Sequence, residues 1–441
     1  MSRICDPFAY SDGPVEACYW NQTASAEPRP AFSGDITTDV AVIGGGYTGL
    51  SAALHLAEAG RSVVLLEKKQ PGWGASGRNG GFCCRGGSKM GGTQMRRRFG
   101  DAGYLDYQLT ERDAVDLVAD LISRHGIKAD THSNGETCLA HRPKDLRALE
   151  AEAKDFKKLF SLDADVFGPD ELVRRGMKGA FQGGMTTPIG FGLNPKKYAL
   201  QLAEAAESAG TRIFGDTSVT QIHGEDGSFC LSTPHGLVHA NKVVVATNGY
   251  SSETVPNWMR GRYFPAQSSV IVTQPLSDAD LAAQGWTSDQ MAYDSRNLLH
   301  YFRLMPDKRF LFGMRGGLAT SKRVHNNIKA AIRKDFESMF PNWAHVKTPW
   351  FWSGFVCYAP NMTPFSGEIP GSSGIYTSYA YHGNGVAMGS FCGALLAEKI
   401  TGKSTLRFPE VIGTPPPRSP GGRFRRLAMY PAYLGYLLRD L

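Results

Sequence analysis

The feature that most restricts how this chain can fold is a glycine pattern between an apolar run and a helix. Asp39-Val-Ala-Val-Ile43 is short, apolar and β-branched, as a buried strand requires. Gly44-Gly45-Gly46-Tyr47-Thr48-Gly49 follows directly. Leu50, Ala53, Leu54 and Ala57 then recur at helical spacing, and Gly60 is placed to end the helix. Ser62 to Leu66 is a second buried run, closed by Glu67. This is a βαβ unit whose first turn reads G-x-G-x-x-G. Gly44 permits the tight turn, Gly46 lets backbone approach a pyrophosphate, and Gly49 lets helix and strand pack closely. The helix start adds amide donors and a positive dipole end. Glu67 comes 23 residues after Gly44, where a carboxylate accepts hydrogen bonds from ribose hydroxyls and disfavours a 2′-phosphate. The unit predicts dinucleotide binding.

The rest of the chain bounds the answer. At roughly 150 residues per domain, 441 residues predict two or three domains. The net charge of +7 is mild for this length; it permits an anionic ligand and gives no reason to expect nucleic acid. The sequence has no apolar run of about 18 residues, so no transmembrane helix is expected. Residues 1–30 lack the apolar core of a secretory signal, which makes a cytoplasmic location with reduced thiols the expectation. The eight cysteines form no C-x-x-C pair and no paired Cys/His spacing, so no metal site is expected.

Residues 1–34 are rich in Pro and polar residues and read as an irregular arm. Helices are expected at about 104–125, 143–161, 195–209, 322–340 and 386–400. Strands are expected at 212–214, 219–222, 229–233, 236–239, 242–246, 263–273, 350–358 and 375–379. Residues 298–305 and 309–315 read as a hairpin around Pro306-Asp307. Residues 403–441 form a Pro-rich, basic tail.

Trp73-Gly-Ala-Ser-Gly-Arg-Asn-Gly-Gly81 is a second glycine-rich loop soon after the βαβ unit. It resembles the second FAD-contacting loop of the D-amino-acid-oxidase-like (DAO) flavoproteins. Tyr19-Trp20, Val243-Val-Val-Ala-Thr-Asn-Gly249, Trp352-Ser-Gly354 and His382-Gly-Asn-Gly-Val386 extend the resemblance over roughly residues 35–405. It is nearest to the γ-glutamylputrescine oxidase branch. The resemblance implies an α/β, two-domain fold: a glutathione-reductase-like Rossmann domain that binds FAD, and a mixed-sheet substrate domain. The expected FAD-binding domain is 35–94, 191–255 and 350–402. The expected substrate domain is 95–190 and 256–349.

The resemblance also implies roles. Gly44, Gly46, Thr48 and Gly49 would cradle the pyrophosphate, and Glu67 and Lys68 would hold the adenosine ribose. Ser76, Arg78, Asn79 and Gly80 would run from the pyrophosphate toward the flavin. Val219 would meet the adenine, and Thr247 and Gly249 would line the nucleotide half. The turn Gly383, Asn384, Gly385 and Val386 would aim amides at the flavin pyrimidine, where a helix start stabilises the charge of the reduced ring. Non-covalent FAD is expected over a covalent link through Cys83, Cys84 or Cys357.

One departure from the family pattern is informative. Amino-acid-oxidising relatives show W-x-G-x-R-P, and that arginine grips the substrate carboxylate. Here the stretch reads Trp352-Ser-Gly-Phe-Val356-Cys357, so Val356 stands in the arginine position; Asn361 replaces the usual Asp. A bidentate clamp is missing there. The expected activity is therefore oxidation of an amine C–N bond, γ-glutamylputrescine-like or another primary or secondary amine, with the imine hydrolysed to an aldehyde. Oxygen or a quinone would take the electrons. Arg303 or Arg315 could replace the clamp, which keeps an α-amino-acid or 2-hydroxy-acid dehydrogenase open. A flavoprotein subunit without turnover is the third reading.

Substrate contacts are expected from Tyr263, His300, Tyr301, Arg303, Trp352 and His382. Aromatic residues would supply a dry pocket that lowers an amine's pKa. His300 and Arg303 are expected on one face of a strand, and His382 either touches flavin or substrate or caps the last helix. No catalytic acid or base is named. Arg96-Arg97-Arg98 reads as a solvated face. In the tail, Arg423, Arg425 and Arg426 precede an apolar run from Leu427 to Leu438. It suits either an interfacial membrane helix or docking on protein, and Pro431, as a helix breaker, favours docking.

Overall fold

Two eight-stranded sheets organise the computed structural model, which describes residues 3–440. Met1, Ser2 and Leu441, and the side chain of Arg423, belong to the expected arm and tail but lie outside the described residues.

In the first sheet, five parallel strands run in the order Ile375–Tyr379, Gly236–Val245, Gly34–Ile43, Val63–Leu66 and Arg212–Phe214. Strand alternation sends successive residues to opposite faces. Val40, Val42, Val63 and Leu65 join one core with the helices Tyr47–Glu58, Pro195–Ser208 and Ala387–Thr401. Ala41, Ile43, Val64 and Leu66 join another beneath the hairpin Gln221–Glu225 and Ser228–Thr233. Strands read separately as 236–239 and 242–246 are one, because its first half is paired on both sides, with 34–38 and with 229–233.

The second sheet runs Trp350–Tyr358, Phe264–Val272, Phe310–Arg315, His300–Leu304, Met291–Asp294, Glu136–Leu139, Gly184–Thr187 and Asp165–Phe167. All its neighbours are antiparallel except 291–294 with 136–139, so the sheet is mixed, as expected. One face is an aromatic core of Trp286, Phe302, Phe310, Phe312, Phe336, Phe340 and Trp343, closed by the helix Lys322–Met339. The other face looks toward the first sheet.

The layers divide the chain differently from the expected domain boundaries. Strand 350–358 belongs to the second sheet, where it pairs with 264–272 over nine residues. The helix Gly92–Arg124 buries Tyr107, Ala114, Val118 and Leu121 in the core of the first layer. It starts earlier than its apolar pattern implied and is broken at Gly100, whose φ is 74°. Arg96 projects from its first segment to Asp101 and over the Tyr104 ring.

The described parts of the arm and the tail are both docked. Trp20 of the arm is buried, and the tail anchors through Arg425, whose guanidinium meets Glu253 at 2.7 Å. The tail helix Met429–Asp440 is unbroken at Pro431, because that residue falls in its first turn, where no helical N–H is lost. No helix among the described residues is long and apolar enough to cross a membrane.

Candidate active site

The first strand–helix turn leaves no room for side chains. Gly44 has φ 111°, and a Cβ on it would lie 2.8 Å from the Ala246 carbonyl oxygen. A Cβ on Gly49 would lie 1.9 Å from the Gly44 carbonyl oxygen. Gly49 therefore lies behind the cradle and holds it shut. Tyr47 N donates to Ser76 Oγ at 3.0 Å. The amides of Gly46 and Thr48 donate to no acceptor among the described residues. Two free amides at a helix start fit an anionic group such as a pyrophosphate. Glu67 accepts from Gly45 N at 2.7 Å and Lys69 N at 2.9 Å. Burial pushes its carboxyl up while those amides pull it down. A carboxylate has about four acceptor positions, so capacity for ribose hydroxyls remains.

The second loop is held from three directions. Arg78 is buried and donates to the carbonyls of Trp73, Gly74 and Ser353, with its guanidinium 4.4 Å from the Trp73 ring. Asn79 Nδ2 donates to Ala75 and Ser76 carbonyls, and its Oδ1 accepts from Gly81 N at 2.8 Å. Two indoles hold consecutive carbonyls: Trp352 Nε1 donates to Arg78 O at 2.7 Å and Trp20 Nε1 to Asn79 O at 2.9 Å.

A cavity of about 410 Å³ connects these parts. One end is lined by Glu67, Lys68 and Val219, its length by Gly44, Gly46, Thr48 and Thr247 on one side and Ser76, Arg78, Asn79 and Gly80 on the other. The far end reaches the turn Gly383, Asn384, Gly385 and Val386, at the start of the helix 387–401. Gly249 is behind the wall, against Phe355 and Cys357. This shape fits an extended dinucleotide, with a flavin at the 383–386 end.

The residues expected to touch substrate divide sharply. Tyr301 lines the far end, its hydroxyl 3.0 Å from Ser268 Oγ. His382 lines it too, but both ring nitrogens are engaged: Nδ1 meets Gly87 O at 2.8 Å and Nε2 accepts from Ala359 N at 3.2 Å. Burial holds this histidine down at about 3, so it is neutral and fixes the turn. The other four lie elsewhere. His300 and Arg303 cannot share a face, because an odd offset in a strand puts them on opposite sides. His300 points to the aromatic core, between Asp294 at 2.9 Å and Asp335 at 3.2 Å. Burial opposes its charge, but the two carboxylates hold it up at about 9. Arg303 is fully buried and donates to Leu193 O and His132. Trp352 holds Arg78, and Tyr263 donates to Ser251 O at 2.8 Å and packs beside Arg425.

Val356 does line the cavity, so an apolar side chain stands on its wall at the position that corresponds to the arginine of the W-x-G-x-R-P pattern. Lys89, Glu136 and Tyr293 also line it and were missed. Glu136 opens the strand Glu136–Leu139, for which no strand was expected and where nothing in the pattern marks one carboxylate as buried. Lys89 stands among Gly86, Gly87, Gly91 and Gly92, and a lone lysine in a glycine-rich loop was the available signal. Cys84 and Cys357 line the cavity, Cys83 is buried behind it, and all three are free. Burial pushes each thiol well up, which keeps the nucleophilic thiolate scarce.

Comparison with known proteins places this geometry. Residues 39–399 match the family of FAD dependent oxidoreductases called DAO, and the chain belongs to that family. It is 31% identical over 423 residues to the gamma-glutamylputrescine oxidoreductase of Escherichia coli K12, covering 94% of this chain and 95% of that one. The glycine oxidase of Bacillus subtilis is 23% identical, with 83% of this chain and 93% of that one covered. Among solved structures, glycine oxidase from Geobacillus kaustophilus superposes with a TM-score of 0.70 at 20% identity, over 87% of this chain and all of that one. Iminodiacetate oxidase from Chelativorans sp. BNC1 gives 0.70 at 21% identity, over 85% and 98%. The protein is an FAD-dependent amine or amino-acid oxidoreductase of the DAO type.

Proposed function

We propose that this enzyme oxidises the C–N bond of an amine whose reacting carbon carries no carboxylate, a γ-glutamylputrescine-like amine foremost. The observation that carries this reading is Val356 on the cavity wall. It cannot pair with an α-carboxylate, and of the two arginines that could replace the clamp Arg303 is turned to Leu193 O and His132, which leaves Arg315 alone on the cavity wall. Near-full-length similarity to the Escherichia coli gamma-glutamylputrescine oxidoreductase supports it.

Gly44, Gly46 and Thr48, with Ser76, Arg78, Asn79 and Gly80, would hold the FAD pyrophosphate and ribityl chain. Glu67 and Lys68 would hold the adenosine ribose, Val219 and Thr247 would line the nucleotide, and Gly383 to Val386 would meet the pyrimidine edge. Bound FAD supplies the two-electron acceptor for a hydride from the carbon beside nitrogen. The protein's own part is to desolvate and orient. Tyr293, Tyr301, Phe355 and Val356 make the far end poorly solvating, which favours the neutral amine, the form that donates hydride. The amine loses hydride and an N–H proton to become an imine, and water converts the imine to an aldehyde and ammonia. The raised thiols support non-covalent FAD.

Anaerobic mixing with a substrate panel tests the reading. γ-Glutamylputrescine, putrescine or other amines should bleach the flavin band near 450 nm, whereas D- and L-amino acids, N-methyl amino acids and 2-hydroxy acids should not. Bleaching by the acids alone overturns it.

A further inference from the structure

The described part of the tail is held on one side and bare on another. From Leu427 to Leu438 the sequence carries no charge. On the helix Met429–Asp440, Tyr433, Tyr436 and Asp440 recur at i, i+3 and i+7 and are half-buried against the protein. The Tyr433 hydroxyl stands beside Gly316, where an added Cβ would be 2.4 Å from it, next to Arg315 of the cavity wall. The Asp440 carboxylate accepts from Asn297 N at 2.8 Å and Leu298 N at 2.9 Å. Tyr430, Leu434, Leu437 and Leu438 recur at i, i+4, i+7 and i+8 and form a second, solvent-facing stripe. Leu427 joins it from the preceding turn. Leu427, Leu434 and Leu438 are 61%, 57% and 63% exposed. Exposed apolar residues elsewhere, such as Leu105, Val173 and Leu237, stand singly and need no explanation; five on one face do.

Both ends of this stripe are basic. Near its start Arg418 is exposed and lies against Gly261, which Arg260 and Arg262 flank. At its end Arg439 is exposed, and Arg142 and Lys144 line one surface hollow with it and Leu438. The carboxylates nearby are engaged by protein: Glu253 by Arg425, Asp335 by His300, Asp145 by Arg142 and Asp440 by the amides above. We infer that this face docks on the surface of a membrane containing anionic lipids, with its leucines among the acyl chains and its two basic ends on the headgroups. A run of this length is too short to span a bilayer and suits a helix lying in its plane. Charge selects lipid over a second copy of the chain. Copies related by a two-fold axis would bring basic ends together whether their helices ran parallel or antiparallel. The helix is already held at Arg425 and Asp440, so little ordering is left to do on docking. The docked enzyme would hold the cavity wall at Arg315 one helix diameter, ~10 Å, from lipid. None of this depends on which amine is oxidised.

The test uses the FAD-loaded full-length enzyme and vesicles of phosphatidylcholine, alone or mixed equally with phosphatidylglycerol. Flotation separates bound from free protein, and flavin absorbance reports both. The wild type should float with the mixed vesicles and bind phosphatidylcholine about 20-fold or more weakly, at about fivefold per basic residue near the surface. Leu434→Ser with Leu438→Ser should lower the partition coefficient about 100-fold on the mixed vesicles. Arg418→Gln with Arg439→Gln should lower it about 20-fold there and little on phosphatidylcholine. None of the four residues lines the cavity, so flavin content and visible spectrum should match the wild type and show that each variant is folded and loaded. A wild type that floats with neither vesicle, or variants that bind as it does, overturns the inference. If the wild type instead sediments as a dimer that the leucine pair splits, the face belongs to a second copy and the lipid reading falls.

Discussion

The two ends of the cavity are built from different materials. The end we assign to the nucleotide is made of backbone: glycines without room for a Cβ, free amides at a helix start, and one carboxylate at a strand end. The end we assign to the substrate is made of side chains brought from five strands and a loop: Glu136, Tyr293, Tyr301, Arg315, Val356 and Lys89. A backbone site depends on local sequence, because the turn that makes it is local. A side-chain site depends on which strands become neighbours, and on which face each residue falls. The difference teaches where substitutions should be absolute and where they should be graded.

The largest effect is expected at the backbone end. Gly49→Val places carbon atoms where the Gly44 carbonyl stands. The protein should be recovered without flavin absorbance near 450 nm or not fold at all; a variant that keeps its flavin would break the comparison.

Graded effects come next, and they should separate by parameter. Glu67→Ala leaves the amides of Gly45 and Lys69 without their acceptor. The FAD dissociation constant should rise roughly 30-fold or more, read by flavin titration of the stripped protein, at about 1–3 kcal/mol per orphaned group. Tyr301→Phe removes only a hydroxyl bonded to Ser268. It should lower kcat/KM for the amine by about tenfold or less, the weight of one hydrogen bond, with FAD affinity unchanged.

The smallest effect contrasts two buried histidines. His382, beside the flavin turn, is held down at about 3, below its unfolded value near 6.5. Its contribution to stability is whole above pH 6.5 and falls as pH drops from there toward 3, because the unfolded chain takes the proton first. His300, in the second sheet, is held up at about 9. Its contribution is whole below pH 6.5 and is lost as pH rises toward 9. Tm measured from pH 4.5 to 9.5 should therefore decline at both ends. His300→Asn should flatten the alkaline limb and leave the acid limb; flattening of the acid limb instead would reverse the assignment.

The same contrast explains what the sequence revealed. The strand, glycine turn, helix and Glu67 were legible because every contact among them lies within about two dozen residues. Half of the mixed second sheet was legible as strands, 264–272, 300–304, 310–315 and 350–358, yet not their order, and the short strands 136–139, 165–167, 184–187 and 291–294 were not read as strands. Arg303 looked like a substrate residue because it is a cation on a strand beside Tyr301. Only the register shows that it runs past the cavity to Leu193 and His132. Lys89 was hidden because the cavity it lines is closed by residues such as Arg315, more than two hundred residues away. Pro431 misled differently: the rule against proline in helices is right for interiors, and the residue sits in a first turn.

The pair of indoles on the second loop has a consequence for biosynthesis. Arg78 and Asn79 are made early, but their carbonyls are seated by Trp20 and by Trp352, so the loop is a keystone that the nascent chain cannot set until most of it has left the ribosome. Cofactor capture is then a closing event of assembly, not an opening one. Ribosome-stalled chains ending before Trp352 should retain no flavin, even though both glycine-rich loops have already emerged.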